Sequence, residues 1–153
     1  MPRVVRKRTI SAGPEEVWQL VSDPYSLPRW WPRVGRVENV EPGGEDGGTE
    51  WTKVLETAEG RGVRADYRCV VSGEPERYAW EQRVAGTPFE RHLRRAAVEI
   101  ALRPQGEGTE VQLSSTQSLR GLSCLGLPMM RRGQAKTLEE ALDGIERALG
   151  GET

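Results

Sequence analysis

The hydrophobic positions of this chain change period several times. Residues 3–11 mix β-branched and basic side chains and predict a first strand. Ser11-Ala12-Gly13-Pro14-Glu15-Glu16 then predicts a helix start. Proline suits a first turn, where its missing N–H has no intrahelical partner anyway, and the two glutamates suit the positive end of the helix dipole. Val17, Trp18, Leu20 and Val21 form a short apolar stripe that ends at Asp23-Pro24. Residues 25–31 predict a second short helix or tight turn, closed by Pro32. Helices this brief are marginal alone and must dock on something larger.

From Val34 the period becomes two. Strands are expected at residues 34–40, 49–57, 63–71, 77–84, 89–102 and 111–119. Turn-forming residues separate them at 41–48, 58–61, 73–76, 86–88 and 105–109. Within 89–102 the apolar phase slips: Phe89 and Leu93 share one parity, while Val98, Ile100 and Leu102 share the other. That slip predicts a bulge near Arg95, which bends the sheet. After a loop at 121–126, Leu127, Met130, Leu138, Ala141, Leu142, Ile145, Ala148 and Leu149 recur at helical spacing. Pro128 sits near the start of this long helix and Gly150-Gly151 supplies its stop. Strands joined by short turns make an antiparallel meander, and one amphipathic helix covers only one of its faces. The expected class is α+β, in one domain over residues 1–150.

Composition narrows the function. The chain has 153 residues, enough for a core without staples. Its 22 basic and 23 acidic residues nearly cancel, which gives no reason to propose nucleic acid or an anionic membrane as partner. The basic runs at 3–8 and 91–95 fall in strand-like alternation and read as solvated strand faces. Cys69 and Cys124 form no CxxC pair and only one histidine is present, so neither a metal site nor a cofactor is expected. Lone thiols, no apolar run at the start and no span of roughly 20 apolar residues predict a cytoplasmic protein without stable membrane insertion. Monomer and homodimer both stay open.

Three segments carry a resemblance: residues 10–18 (ISAGPEEVW), 21–24 (VSDP) and 27–32 (LPRWWP), supported by Gly108-Thr109-Glu110-Val111 and the closing amphipathic helix. With them the chain resembles the START/Bet v1-like (SRPBCC) superfamily, in its polyketide cyclase/dehydrase and lipid-transport group, over essentially its whole length. The resemblance implies a helix-grip fold: a curved seven-stranded antiparallel sheet around a long C-terminal helix, two short helices after the first strand, and a cavity between sheet and helix. It transfers no catalytic residue, since the superfamily has no common catalytic motif.

Strand parity nominates Trp51, Tyr67, Trp80, Gln82, Ser115 and Gln117, with Phe89 and Leu93, as lining residues. The helix adds Met130, Gln134, Thr137 and Ala141, and Trp30 and Trp31 are expected near the cavity mouth. The aromatics serve either core packing or a cavity wall. Tyr67, Gln82 and His92 are the weak candidates for proton transfer, His92 being the only histidine. No Ser-His-Asp order, P-loop or GxGxxG is present. Three functions fit: a binder of a hydrophobic small molecule (lipid, isoprenoid or aromatic polyketide-like), a polyketide cyclase or dehydratase using the same cavity, and a co-chaperone-like protein-interaction module.

Overall fold

The structure is a computed structural model that describes residues 3–42, 48–56, 62–87, 90, 93–119 and 127–149. The chain runs β1 (Arg3–Ile10), α1 (Pro14–Val21), a 3₁₀ turn at Pro24–Ser26 and α2 (Leu27–Trp30). Six strands follow: β2 (Val34–Glu41), β3 (Glu50–Glu56), β4 (Gly62–Gly73), β5 (Arg77–Gln82), β6 (Leu93–Gln105) and β7 (Gly108–Leu119). The long helix α3 (Leu127–Leu149) comes last. The strands form one antiparallel sheet in the order β1-β7-β6-β5-β4-β3-β2. This is the helix-grip architecture.

The sheet bends where its register shifts. Shifts occur in β2 on both sides of residues 36–38, in β4 between Cys69 and Val71, and in β6 between Leu93 and Arg95. The last is the slip expected near Arg95. A bulge adds a residue to one strand and increases local twist, which curves a meander. In β2 the irregularity falls beside Asn39, a left-handed residue at φ 55°, and asparagine is among the side chains that tolerate that region. Of the strand expected from Phe89, the structure describes Leu93–Gln105; Phe89, Arg91 and His92 lie outside the described residues. Residues 43–47 of the turn expected at 41–48, the turn at 58–61, the loop at 121–126 and the stop at Gly150-Gly151 lie outside the described residues.

One end of the molecule is packed solid. The start of α1 is fixed by β7: the Thr109 hydroxyl, fully buried, donates to the Ala12 carbonyl at 2.6 Å. Beside it, a side chain on Gly108 would run into the Ile10 carbonyl, so glycine is required for β7 to lie this close to β1. Asp23 caps the next turn, accepting from the Tyr25 N–H at 3.1 Å and the Ser26 hydroxyl at 3.2 Å. The helix α3 packs chiefly on β1, β7 and α2. Its buried residues Leu138, Ala141, Leu142 and Ile145 meet Val17, Val21, Leu27, Trp30, Ile100 and Leu113 in the core. Outside the core, Arg8 on β1 reaches Glu139, Asp143 and Glu146 on α3 at 2.9, 2.5 and 3.1 Å. The basic run of β1 thus pairs in part with the acidic face of α3.

The crossing of α2 over α3 depends on Gly144. A Cβ there would lie 2.7 Å from the Trp30 Cα and closer still to its carbonyl oxygen, and backbone cannot rotate out of the way. Gly144→Ala is expected to lower stability by roughly 1–3 kcal/mol, despite a helix-propensity gain of about 1 kcal/mol. Urea unfolding of the two proteins checks this, and an unchanged or raised midpoint would refute the close contact.

Candidate functional site

The site begins where packing on α3 changes. Toward its C-terminus the helix buries leucine, isoleucine and alanine; toward its N-terminus the same side presents Met130, Gly133, Gln134 and Thr137 to a cavity of about 510 Å³. The sheet supplies the other wall through Lys53 on β3, Tyr67 on β4, Trp80 and Gln82 on β5, Ala96 to Val98 on β6, and Ser115 and Gln117 on β7. Trp31, just past α2, and Arg33 border it from the side.

Register explains why these residues meet. Lys53 and Trp51 share one parity of β3, and Trp51 lies opposite Tyr67, which lies opposite Gln82. Trp80, Val98 and Ser115 form a second row across β5, β6 and β7. Alternate residues along each strand face the same way, so both rows look into the hollow.

Trp80, 1 % exposed, is the hub of the aromatic cluster. Its ring centroid lies 6.1, 5.3, 6.2 and 6.3 Å from those of Trp30, Trp31, Trp51 and Tyr78, at steep interplanar angles. Edge-to-face contacts of this kind place the positive rim of one ring on the negative face of another. Trp51 instead stacks on Tyr67, with 13° between the planes.

Lys53 is the unexpected member. It is 2 % exposed, and its ammonium lies 4.8, 4.2 and 5.2 Å from the ring centroids of Trp31, Tyr67 and Trp80. Among the described residues it has no hydrogen-bond partner and no counter-ion. Desolvation lowers its pKa from 10.5 to about 7, and burial pushes the Tyr67 phenol upward for the same reason. Two amide groups of the wall are also unmatched: Gln82 Nε2 and Gln134 Oε1 are buried without partners, while Gln134 Nε2 donates to the Ser115 hydroxyl at 2.8 Å. Arg33, held at a left-handed φ of 62°, bridges the cavity edge to α3 through Glu140 at 3.0 Å and Thr137 at 3.1 Å.

Of the nominated residues, the cavity brings together Tyr67, Trp80, Gln82, Ser115, Gln117, Met130, Gln134, Thr137 and Trp31. Trp51 is buried behind Tyr67 and lines a second, open groove of about 560 Å³ that also holds Glu41, Glu50, Arg68 and Arg83. Tyr67 and Gln82 border both spaces. Trp30 and Ala141 sit in the packed core, 1 % and 0 % exposed, and Leu93 is half-buried at the start of β6, away from the lining. Phe89 and His92 lie outside the described residues. Sequence reasoning missed Lys53, Arg33, Lys136, Gly133 and Ala96 to Val98. For Lys53 a signal existed: it shares strand parity with Trp51 and Leu55.

This fold and cavity define a START-like protein. Residues 1–150 match the family described as Polyketide cyclase / dehydrase and lipid transport, and the chain belongs to it. A START superfamily protein from Mycobacterium smegmatis superposes with a TM-score of 0.77 at 15 % identity, over 97 % of either chain. A protein from Thermus thermophilus superposes at 0.69 with 26 % identity, over 95 % of this chain and 94 % of that one. The di-domain ARO/CYC BexL from the BE-7585A biosynthetic pathway gives 0.75 at 20 % identity, over 95 % of this chain and 45 % of its own length. No curated protein sequence matches the chain.

The Lys53 burial has a thermodynamic signature. The folded state releases this proton near pH 7, while the unfolded chain holds it to about 10.4. Between these values the unfolded state binds more protons, so this group makes stability rise with pH. Lys53→Met removes the cost of burying charge. The variant is expected to exceed the parent by on the order of 1–4 kcal/mol at pH 6, the ring contacts offsetting part of the full cost. The gap should shrink by about pH 9.5, close to the unfolded value. Urea unfolding at both pH values checks it, and a gap that widened with pH would contradict a desolvated lysine.

Proposed function

We propose that the chain binds a hydrophobic small molecule, of lipid, isoprenoid or aromatic polyketide-like character, between the sheet and α3. One observation carries this reading. The space is walled by aromatic rings and by Gln82 and Gln134, each of which holds a buried amide atom with no protein partner among the described residues. Buried polar groups are nearly always satisfied, and a mostly apolar pocket with a few convergent polar groups is the usual form of a small-molecule site. The volume falls in the range of such sites. The family, whose description includes lipid transport and polyketide cyclisation, supports the same reading.

The cyclase reading draws on one further feature: Tyr67 and Gln82 share the cavity with Lys53, so hydrogen-bonding and proton-accepting groups border the space that would fold a reactive chain. Turnover separates the two readings. Under cyclisation Tyr67→Phe slows product formation while leaving affinity nearly intact; under simple binding no product forms with either protein.

Native mass spectrometry of protein purified from its own host is expected to reveal a retained small molecule. Ala96 is buried on the cavity wall, and Ala96→Phe should fill part of the space. The affinity for the apolar probe 1-N-phenylnaphthylamine is expected to fall at least about tenfold, or about 1.4 kcal/mol. Equal affinity for a well-folded variant would place binding elsewhere.

A further inference from the structure

A lysine ammonium removed from water needs something to replace its hydration shell, and buried charges are normally paired. Among the described residues the contacts of the Lys53 ammonium are with rings. Trp31, Tyr67 and Trp80 offer their faces at 4.8, 4.2 and 5.2 Å, which attracts a cation but accepts none of its three N–H bonds in the way an oxygen does. No hydrogen bond or ion pair to Lys53 exists among the described residues, and the side chain is buried against the cavity rather than extended to solvent.

The rest of the lining has the same polarity. Among the described residues it includes Arg33, Lys53 and Lys136 and no carboxylate. Arg33 is already paired with Glu140 at the edge. Two acids on the neighbouring strands are engaged on other faces: Asp66 accepts from the Thr52 hydroxyl at 2.7 Å and Glu81 pairs with Arg95 at 3.0 Å. On the cavity wall, the Gln82 side chain, which also borders the second groove, holds a second donor, Nε2, buried with nothing among the described residues to receive it.

We propose that the ligand is an acidic amphiphile, an apolar body bearing one carboxylate, and that its carboxylate is the missing counter-ion of Lys53. This rests on the reading that the cavity binds a hydrophobic molecule, and adds which end of it enters toward β3. The carboxylate accepts from the Lys53 ammonium and from the Gln82 amide, and its apolar body lies along the aromatic wall and Met130. A charge-assisted bond formed away from water is stronger than one at the surface. Both a fatty acid and an aromatic carboxylic acid carry this chemistry.

The test compares matched ligands at about pH 7 by tryptophan fluorescence and calorimetry. One arm pairs decanoate with decan-1-ol; the other pairs 2-naphthoate with its methyl ester. The intact protein is expected to prefer the acid of at least one pair by about tenfold or more, the span of a hydrogen bond to a charged group. Lys53→Met is expected to bring that ratio to about one while still binding the neutral member. Lys53→Gln, which keeps a donor without the charge, should do the same, and thermal unfolding of both variants confirms that they fold. The favoured arm tells an aliphatic from an aromatic source. Neutral ligands bound as tightly as acids would overturn the proposal and leave the binding reading standing. A preference that survives in Lys53→Met would overturn the assignment to Lys53. No binding of any of the four would remove the binding reading and this proposal together.

Discussion

A helix with one apolar face can lie against only part of a seven-stranded sheet. In this molecule that part is β1, β7 and the α1–α2 corner, where Leu138, Ala141, Leu142 and Ile145 are excluded from water. The sheet continues past this contact and curls, its register broken in β2, β4 and β6. What it curls around is the more polar half of the same helix. The hollow therefore follows from a mismatch in extent: the sheet is wide and bent, and the sticky part of the helix is short.

The segments that carry the family resemblance belong to the anchored end. Gly108 and Thr109 hold β7 against the end of β1 and fix where α1 departs. Trp30 of the LPRWWP segment presses its backbone onto Gly144 and its ring onto Trp80. These residues set the distance between α2, α3 and the sheet. They specify a scaffold and leave its contents open, which is why the motifs signal a fold so much more sharply than a chemistry.

The same division governs how much the sequence discloses. Period-two alternation and helical spacing are enough for the element order, the seven strands and the bulge near Arg95, because each is a local pattern. Parity also places Tyr67, Trp80, Gln82, Ser115 and Gln117 on the concave face. It does not say how far along that face a residue stands, so Trp30 and Ala141, on the correct side, fall in the packed end. Lys53 escapes for a different reason. A lysine in a strand ordinarily marks the solvent face, yet here the alternation of Trp51, Lys53 and Leu55 outranks residue type. The stems of long basic side chains bury readily, and only the charged head objects.

That objection ties the two ends of the molecule together. A cavity that keeps a lysine, three glutamines and a serine from full solvation contributes little to folding and, through Lys53, opposes it most strongly below about pH 7. The loss is tolerable because the anchored end supplies dry packing around Leu138, Ala141, Leu142 and Ile145, none of which lines the hollow. Net stability in a domain of this size is a small difference between large terms, so an unpaired buried charge that met nothing would be a heavy and unrelieved penalty. Sites that depart from good packing are where function is usually found. In this fold the departure is concentrated where the helix turns its more polar half toward the sheet.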